Sequence, residues 1–382
     1  MAHACGIDFG TSNSTVGVVR PGQGALLALE DGKLTLPSVV FFNAEDDETS
    51  YGRAALAGYL AGYEGRLMRS LKSLLGTSLI DGQTEVAGRA LPFRQLLASF
   101  IGEVKRRAEG AAGQRFECAV FGRPVYFIDD DADADRTAED TLAEIARSVG
   151  FKHVAFQYEP IAAAFDYESR IEREELVLIA DIGGTDFDKY LSLSSVMPLL
   201  GYQSELNNGA SIPSSYYFNL ATWHTINLAY SRKVVNQLAD LVRDAREPAR
   251  LVRLQRLIDE RAGHWLAMQV EEGKIALSDC DTVELNLDRL VPPERLRVER
   301  AGFEAAVSQL VDAVGATVTR LLADAGVELE RIDTLFFTGG SSGVRLLRER
   351  IGAIAPNARK VEGDLFGSIG AGLALDAQRK FG

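Results

Sequence analysis

The sequence IDFGTSN at residues 7–13 is the strongest indication of the fold, and a related sequence, IADIGGT, occurs at residues 179–185. Each is an apolar run that ends in Asp-x-Gly, which predicts a strand with a carboxylate at its tip and a flexible turn after it. Such a turn points backbone N–H groups into one concavity, where a phosphate can approach without meeting a Cβ, and the carboxylate can hold a hydrated Mg²⁺. Two such strand tips can hold one nucleotide from both sides, so the pair indicates a duplicated fold with two lobes.

Length and composition agree with a soluble, two-lobed globular protein. The 382 residues exceed what one hydrophobic core usually supports. Hydrophobic residues make up 46% and charged residues 25%, which is typical of globular proteins. The 41 basic and 54 acidic residues give a net charge of −13, which disfavours non-specific binding to nucleic acid or to an anionic membrane. We therefore expect a nucleotide to need a local site, and we expect neither nucleic acid nor a membrane as a partner.

We expect no secretory signal, because the MAHAC start lacks a charged region followed by an apolar stretch, and no apolar run approaches the length of a bilayer span. The expected location is therefore the cytoplasm. Cys5, Cys118 and Cys280 are far apart and odd in number, which indicates isolated thiols rather than disulfides or a zinc site.

Apolar runs typical of strands alternate with amphipathic stretches typical of helices. This alternation predicts an α/β architecture. The clearest strand candidates are residues 39–42, 118–121, 176–179 and 334–337, and the clearest helix candidates are residues 93–107, 137–148 and 303–323.

Other local patterns suggest different chemistry, but each has a simpler interpretation. Residues 339–343 read GGSSG, a G-x-S-x-G pattern, yet all four histidines precede Ser341 and such a hydrolase needs its histidine after the serine. The acidic run at residues 129–135 lacks the glycine and glutamate of a calcium loop, so we interpret it as the solvated start of a helix. The Arg-rich segment at residues 243–261 is typical of a salt-bridged amphipathic helix. Neither a Walker A loop nor a dinucleotide-binding fingerprint occurs.

A series of motifs, in order along nearly the whole chain, resembles the ATPase domain of the seventy-kilodalton heat-shock (DnaK-type) chaperones, within the actin and sugar-kinase superfamily. The subgroup that the chain looks most like is the short, chaperone-like YegD branch. The motifs are the loop at residues 7–13, LPSVV at 36–40, YGRAA at 51–55, LKSLLG at 71–76, RPVYF at 123–127, EPIAAA at 159–164, EEGKIALS at 271–278 and TGGSSG at 338–343.

The resemblance implies an α/β fold with two actin-like lobes, each a ribonuclease H-like unit with inserted subdomains. The first lobe is expected at residues 1–168 and the second at residues 169–369. Residues 370–382 are expected to form a C-terminal helix that returns to the first lobe.

The resemblance also implies a catalytic set of Asp8, Lys72, Glu159 and Asp181. The three carboxylates are expected to hold Mg²⁺, mainly through water, and Lys72 to reach the γ-phosphate and the attacking water. The residues alone favour simpler roles: a solvated lysine in a helical pattern for Lys72, and a helix-capping or dipole carboxylate for Glu159.

The implied cofactors are ATP or ADP with Mg²⁺, bound between the lobes. The expected nucleotide contacts are Gly10, Thr11, Ser12, Asn13, Gly183, Gly184, Thr185, Glu271, Lys274, Ser278, Gly339, Gly340, Ser341 and Gly343. Ile275 stands where these chaperones usually have an arginine stacked on the adenine, so weaker affinity or apolar packing is expected there.

The main departure from the family pattern is at Gly184-Thr185, where one Gly-Gly serves two motifs that the family keeps apart. Two strands with their turns, on the order of twenty to thirty residues, are missing at this apparent internal deletion. Either residues have been deleted or omitted at this point of the chain, or the second lobe has a naturally reduced sheet, and the sequence is compatible with both interpretations.

The expected function is ATP binding with slow Mg²⁺-dependent hydrolysis by a chaperone-like protein. Because the chain stops at Gly382, we expect no peptide-binding domain. One alternative is an inactive nucleotide-binding module that signals to a partner, and another is a small-molecule kinase, since the fold alone does not fix the acceptor. The expected partners are an adenine nucleotide and a protein partner or co-chaperone.

Overall fold

The structure is a computed structural model that describes residues 3–86, 88–364 and 367–382. Its strands, in chain order, are β1 (Ala4–Phe9), β2 (Asn13–Gly17), β3 (Thr35–Pro37), β4 (Val39–Asn43), β5 (Thr49–Tyr51), β6 (Gly65–Arg69), β7 (Gln83–Val86), β8 (Arg89–Pro92), β9 (Cys118–Arg123), β10 (His153–Tyr158), β11 (Val177–Asp181), β12 (Thr282–Leu287), β13 (Glu294–Glu299), β14 (Thr334–Thr338) and β15 (Arg359–Glu362). Its α-helices are α1 (Gly52–Leu60), α2 (Phe93–Ala112), α3 (Ala132–Ser148), α4 (Glu159–Glu168), α5 (Thr185–Leu191), α6 (Ser215–Ala221), α7 (Arg232–Asp244), α8 (Pro248–Asp259), α9 (Gly263–Leu277), α10 (Arg300–Asp324), α11 (Arg345–Ile354) and α12 (Ser368–Phe381).

The chain forms two compact units. The first comprises the chain up to Asp181 together with Thr334–Gly339 and Lys360–Gly382. It contains a five-stranded sheet of order β10-β9-β1-β2-β3, the sheets β5-β4-β6 and β11-β14-β15, and the hairpin β7-β8. β1 occupies the centre of the five-stranded sheet, antiparallel to β2 and parallel to β9, which explains its almost continuous burial.

Aromatic rings fill the core of the first unit on one face of the five-stranded sheet. The rings of Phe9 and Phe100 lie 5.8 Å apart, and those of Phe121 and Phe151 lie 5.9 Å apart. Phe100 comes from α2, whose buried residues recur every three or four positions, as a helix lying on a sheet requires. This core fixes the end of β1 that carries Asp8.

Glycines allow α12 to approach the backbone of β1 and α4 closely. A Cβ on Gly372 would lie 1.7 Å from the carbonyl oxygen of Ala162, and one on Gly6 would lie 2.3 Å from the carbonyl carbon of Leu373. Side chains at these positions would push α12 away from both elements.

The second unit comprises Ile182–Asp333 and Gly340–Arg359 and is largely helical. α5 to α11 make up most of it, and β12 and β13 form an antiparallel hairpin. α5 begins at Thr185, four residues after the end of β11 at Asp181, and continues through a π-helical turn at Ser192–Val196 and a 3₁₀ turn at Met197–Leu200. Within the described residues, no strand separates β11 from α5.

The predicted helices at residues 93–107, 137–148 and 303–323 lie within α2, α3 and α10. α3 starts earlier than predicted because the acidic run caps it: the Asp131 carboxylate accepts a hydrogen bond from the Ala134 N–H at 2.9 Å. The two compact units divide the chain differently from the expected lobes, since β14 pairs with β11 inside the first unit. The lobe boundaries at 168 and 369 stay a prediction.

Across the part of the chain that the structure describes, each helix is too short or too polar to cross a lipid bilayer.

Candidate functional site

Three carboxylates and one lysine share one electrostatic environment in the first unit. Asp8 lies at the end of β1, Asp181 is the last residue of β11, and Glu159 is the first residue of α4. Lys72 lies in a 3₁₀ turn at Leu71–Leu74 that follows β6 and Ser70, a residue with a left-handed backbone conformation. The Lys72 ammonium forms a buried ion pair with the Glu159 carboxylate. The charges of the four predicted catalytic residues therefore influence one another's protonation.

Burial and repulsion between carboxylates raise the pKa values of Asp8 and Asp181. Burial raises the pKa of the Asp8 carboxyl, and the Glu159 carboxylate raises it further, to about 8, although Lys72 opposes the shift. Burial and Glu159 likewise raise the pKa of Asp181, to about 7. Burial alone would lower the pKa of Lys72, but the charges of Glu159 and Asp8 outweigh it and the pKa is raised. The lysine is therefore cationic at neutral pH, whereas the aspartates resist ionisation without a further cation.

This donor set fits a hydrated divalent cation. When ionised, the three carboxylates exceed the single lysine by two negative charges, which a Mg²⁺ ion would neutralise. Among the residues that the structure describes, no group of three His, Cys, Asp or Glu side chains is close enough to ligate a metal ion directly. Mg²⁺ gives up its water shell reluctantly, so carboxylates spaced in this way could contact the ion through its bound water molecules.

The first Asp-x-Gly loop, residues 10–13, joins β1 to β2 in a tight turn. A Cβ on Gly10 would lie 2.2 Å from the Asn13 carbonyl oxygen, so any side chain at residue 10 would open the turn. Gly10, Thr11, Ser12 and Asn13 are half-buried, so the loop is not closed off from solvent. The structure thus brings these four predicted residues together directly after Asp8.

The second loop, residues 182–185, is fastened within the second unit by a buried lysine. The Lys274 Nζ lies 2.7 Å from a carboxylate oxygen of Asp188 and donates to the Gly184 carbonyl at 3.3 Å. A Cβ on Gly184 would lie 2.8 Å from that same nitrogen, so a side chain at residue 184 would displace the lysine ammonium from this position. Thr185 begins α5.

The sequence did not predict a role for Asp188. It lies four residues after Gly184, in the first turn of α5. The distance to Lys274 becomes apparent only once α5 and α9 are folded.

The remaining predicted nucleotide residues lie on α9 and after β14. Lys274 is buried on α9, Glu271 is half-buried, and Ser278 follows the helix beside Gly343, whose Cβ would be 3.0 Å from the Ser278 hydroxyl. Ile275 is 55% exposed on the same helix. Glu271, Lys274 and Ser278 follow one another at the predicted helical spacing along α9 and its C-cap, and Lys274 is paired there with Asp188. Their role in nucleotide binding stays a prediction.

The loop after β14 contains the predicted residues Gly339, Gly340 and Ser341. Gly339 has a left-handed φ of 83°, which glycine adopts without strain. Ser341 is fully buried, its N–H donates to the Ile182 carbonyl at 3.1 Å, and its hydroxyl has no hydrogen-bond partner among the residues that the structure describes. A buried hydroxyl of this kind is unsuited to be an attacking nucleophile, in agreement with the histidine order that disfavours a serine hydrolase.

Comparison with known proteins identifies the class of protein. The family described as Hsp70 protein matches this chain over residues 4–196 and 236–375. The fold is therefore the actin-like α/β fold of an Hsp70 ATPase domain, as the sequence predicted, and the chain belongs to the Hsp70 family.

Individual relatives are chaperones of similar sequence but greater length. The chain is 29% identical over 395 residues to the chaperone protein HscA of Citrobacter koseri, covering 98% of this chain and 58% of the relative. It is 29% identical over 397 residues to the chaperone protein HscA of an Escherichia coli strain, with the same coverage. The chain thus spans 58% of the length of these curated relatives.

Proposed function

We propose that the protein binds ATP and ADP with Mg²⁺ and hydrolyses ATP slowly, as a chaperone-like member of its family. We also place it in the short YegD-like branch. The observation that carries the proposal is the cluster of Asp8, Glu159 and Asp181 around Lys72, next to the tight glycine loop at residues 10–13. Without a cation the two aspartates resist ionisation, and a divalent cation would favour their ionised forms, so the cluster suits a ligand of this kind.

Each residue has a stated task in the proposal. Asp8, Glu159 and Asp181 would hold the metal mainly through its water shell, and Glu159 also holds Lys72 in place through their ion pair. Lys72 presents a positive charge to the terminal phosphate and orients the attacking water. When bound, Mg²⁺ supplies charge neutralisation on the phosphate oxygens. The N–H groups of residues 10–13 orient the phosphates, and no covalent step is asked of the protein.

For adenosine we propose residues of the second unit, on the basis of the family resemblance. Asp188 and the Gly184 carbonyl use two of the three N–H groups of Lys274, which leaves one for a ribose oxygen. Glu271 and Ser278 would complete the ribose contacts. Ile275, exposed and apolar, would pack against the base without discriminating its hydrogen-bonding edge.

Two measurements on the full chain test the proposal. Calorimetric titration should show binding of ATP and ADP in Mg²⁺ buffer, and a phosphate-release assay should show turnover that disappears on addition of EDTA. Absence of adenine-nucleotide binding by a folded chain would contradict the proposal outright. Binding without phosphate release would favour the second candidate, an inactive nucleotide-binding module that acts on a protein partner. The direct connection from β11 to α5 also favours this candidate, because it shortens the second loop.

A further inference from the structure

Ser38 lies outside the predicted site yet contacts the first Asp-x-Gly loop by two hydrogen bonds. Its hydroxyl donates to the Gly10 carbonyl at 2.7 Å, and its backbone N–H donates to the Ser12 carbonyl at 2.9 Å. The Ser38 side chain is fully buried in the bend between β3 and β4. The contact therefore joins the loop to a rigid part of the first unit.

The direction of a third hydrogen bond follows from counting protons. The hydroxyls of Ser14 and Ser38 lie 2.9 Å apart, and either could donate. Because the single hydroxyl proton of Ser38 is used on the Gly10 carbonyl, Ser14 must be the donor to Ser38. The chain of bonds runs from Ser14 to Ser38 to Gly10, and each bond in such a chain polarises the next.

These contacts fix which way the peptide groups of the loop face. The carbonyls of Gly10 and Ser12 both point at Ser38, and a Cβ on Gly10 is excluded by the Asn13 carbonyl only 2.2 Å away. A carbonyl that turned towards a bound phosphate would repel it, because both groups carry negative charge on oxygen.

We propose that Ser38 is a positioning residue for phosphate binding: it holds the carbonyls of the loop away from the ligand, so that its N–H groups face the phosphate. This inference rests on the proposed nucleotide binding. It adds a specific claim, that Ser38 acts on the phosphates of a nucleotide and not on the nucleoside.

The test compares ATP and adenosine by calorimetric titration in Mg²⁺ buffer. Ser38→Ala should weaken ATP binding by about tenfold, the effect of losing one well-placed buried hydrogen bond, and leave adenosine binding unchanged. Ser38→Thr keeps the hydroxyl donor and should restore most of the ATP affinity. Ser14→Ala leaves the bond from Ser38 to Gly10 in place and should weaken ATP binding by about threefold or less.

The matched control is Ser204→Ala in the second unit. The Ser204 hydroxyl is also buried and also donates to a glycine carbonyl, that of Gly201, at 2.7 Å. Its loss should cost similar stability without changing the ratio of ATP to adenosine affinity. An unchanged ratio in Ser38→Ala, or an equal change in Ser204→Ala, would overturn the inference.

Amide hydrogen exchange of the free protein separates this inference from the proposed function. In Ser38→Ala, amides of residues 10–13 should exchange at least several-fold faster than in the wild type, with no such change in Ser204→Ala. If the wild type binds no ATP, the proposed function fails. Equal exchange of the loop in Ser38→Ala and wild type would reject the positioning role in either case.

Discussion

Lys72 carries the chemistry of the proposal at the scale of single residues. A lysine in an apolar, helix-like pattern is more often solvated, but here it is buried in a 3₁₀ turn and paired with Glu159. Burying an ammonium is unfavourable unless opposite charge compensates, and three carboxylates do so. The same arrangement leaves its positive charge available to a phosphate.

Replacement of Lys72 by alanine should lower ATP turnover by on the order of a hundredfold, with a modest change in ADP affinity, because its charge acts mainly on the transferred phosphate. A phosphate-release assay under single-turnover conditions measures this. The control is Lys152→Ala, since Lys152 pairs with Glu117 at the exposed surface of the same unit and should leave turnover unchanged. Equal, near-background rates in wild type and Lys72→Ala would reject hydrolysis and favour the inactive module.

The raised pKa values of Asp8 and Asp181 predict an inverted pH dependence of stability in metal-free buffer. The folded pKa values, about 8 and about 7, exceed the ordinary aspartate value of 3.8. The folded state therefore binds protons more tightly than the unfolded state, so stability is lost as the pH rises from about 4 to about 8. In EDTA the melting temperature should fall by about 3 °C or more between pH 5.5 and pH 8.5.

Addition of Mg²⁺ at pH 8.5 should recover part of the lost melting temperature. Asp8→Asn should flatten the pH dependence of the melting temperature in metal-free buffer, because it removes the carboxyl with the larger pKa shift. A metal-free profile that rises towards pH 8.5 would show that the carboxylates are not held in this environment.

At the scale of secondary-structure elements, α12 sets the spacing between β1 and α4, which carry Asp8 and Glu159. The approach depends on residues without side chains, because a Cβ on Gly372 would overlap the Ala162 carbonyl. A shift of α12 would move both carboxylates relative to Lys72, so a residue outside the site affects its geometry.

Gly372→Ala should destabilise the protein by about 3 kcal/mol, since backbone atoms cannot move aside as a flexible side chain can. It should also weaken Mg²⁺-dependent ATP binding. The matched control is Gly302→Ala in α10, where a Cβ meets nothing within 4 Å and the better helix propensity of alanine should stabilise by about 0.5–1 kcal/mol. Denaturant unfolding measures both, and equal stabilities of the two variants would contradict the close packing of α12.

At the scale of the whole molecule, nucleotide binding has to show as a gain in stability, because a ligand that binds only the folded state stabilises it. At a nucleotide concentration of about one hundred times Kd the gain is about 2.7 kcal/mol, which corresponds to a rise in melting temperature of about 3 °C for a chain of this size.

Thermal unfolding with ATP and Mg²⁺ should show this rise, and ATP with EDTA should show a smaller one. In Asp8→Asn the two conditions should converge, since the carboxylate serves the water shell of the metal and not the base. Adenosine should stabilise wild type and Asp8→Asn equally. A loss of adenosine stabilisation in the variant would indicate a folding defect instead of a metal defect.

The strand tips, the main helices and the family could be predicted from the sequence alone. Asp-x-Gly after an apolar run is a local signal, helical periodicity is also local, and ordered motifs survive along the chain, so the family match over residues 4–196 and 236–375 was foreseeable. The four predicted catalytic residues came from the family resemblance, because neither Lys72 nor Glu159 carries a local mark of function.

The ion pairs and hydrogen bonds between these residues became known only from the tertiary structure. Lys72 and Glu159 are 87 positions apart, and the contacts between Ser38 and Gly10 and between Lys274 and Gly184 span 28 and 90 positions. Burial raises the pKa values of Asp8 and Asp181, and Lys274 forms a buried ion pair with Asp188, a contact that the helical spacing of α9 does not reveal. Charge and burial depend on distances through space, which a pattern of neighbours along the chain does not contain.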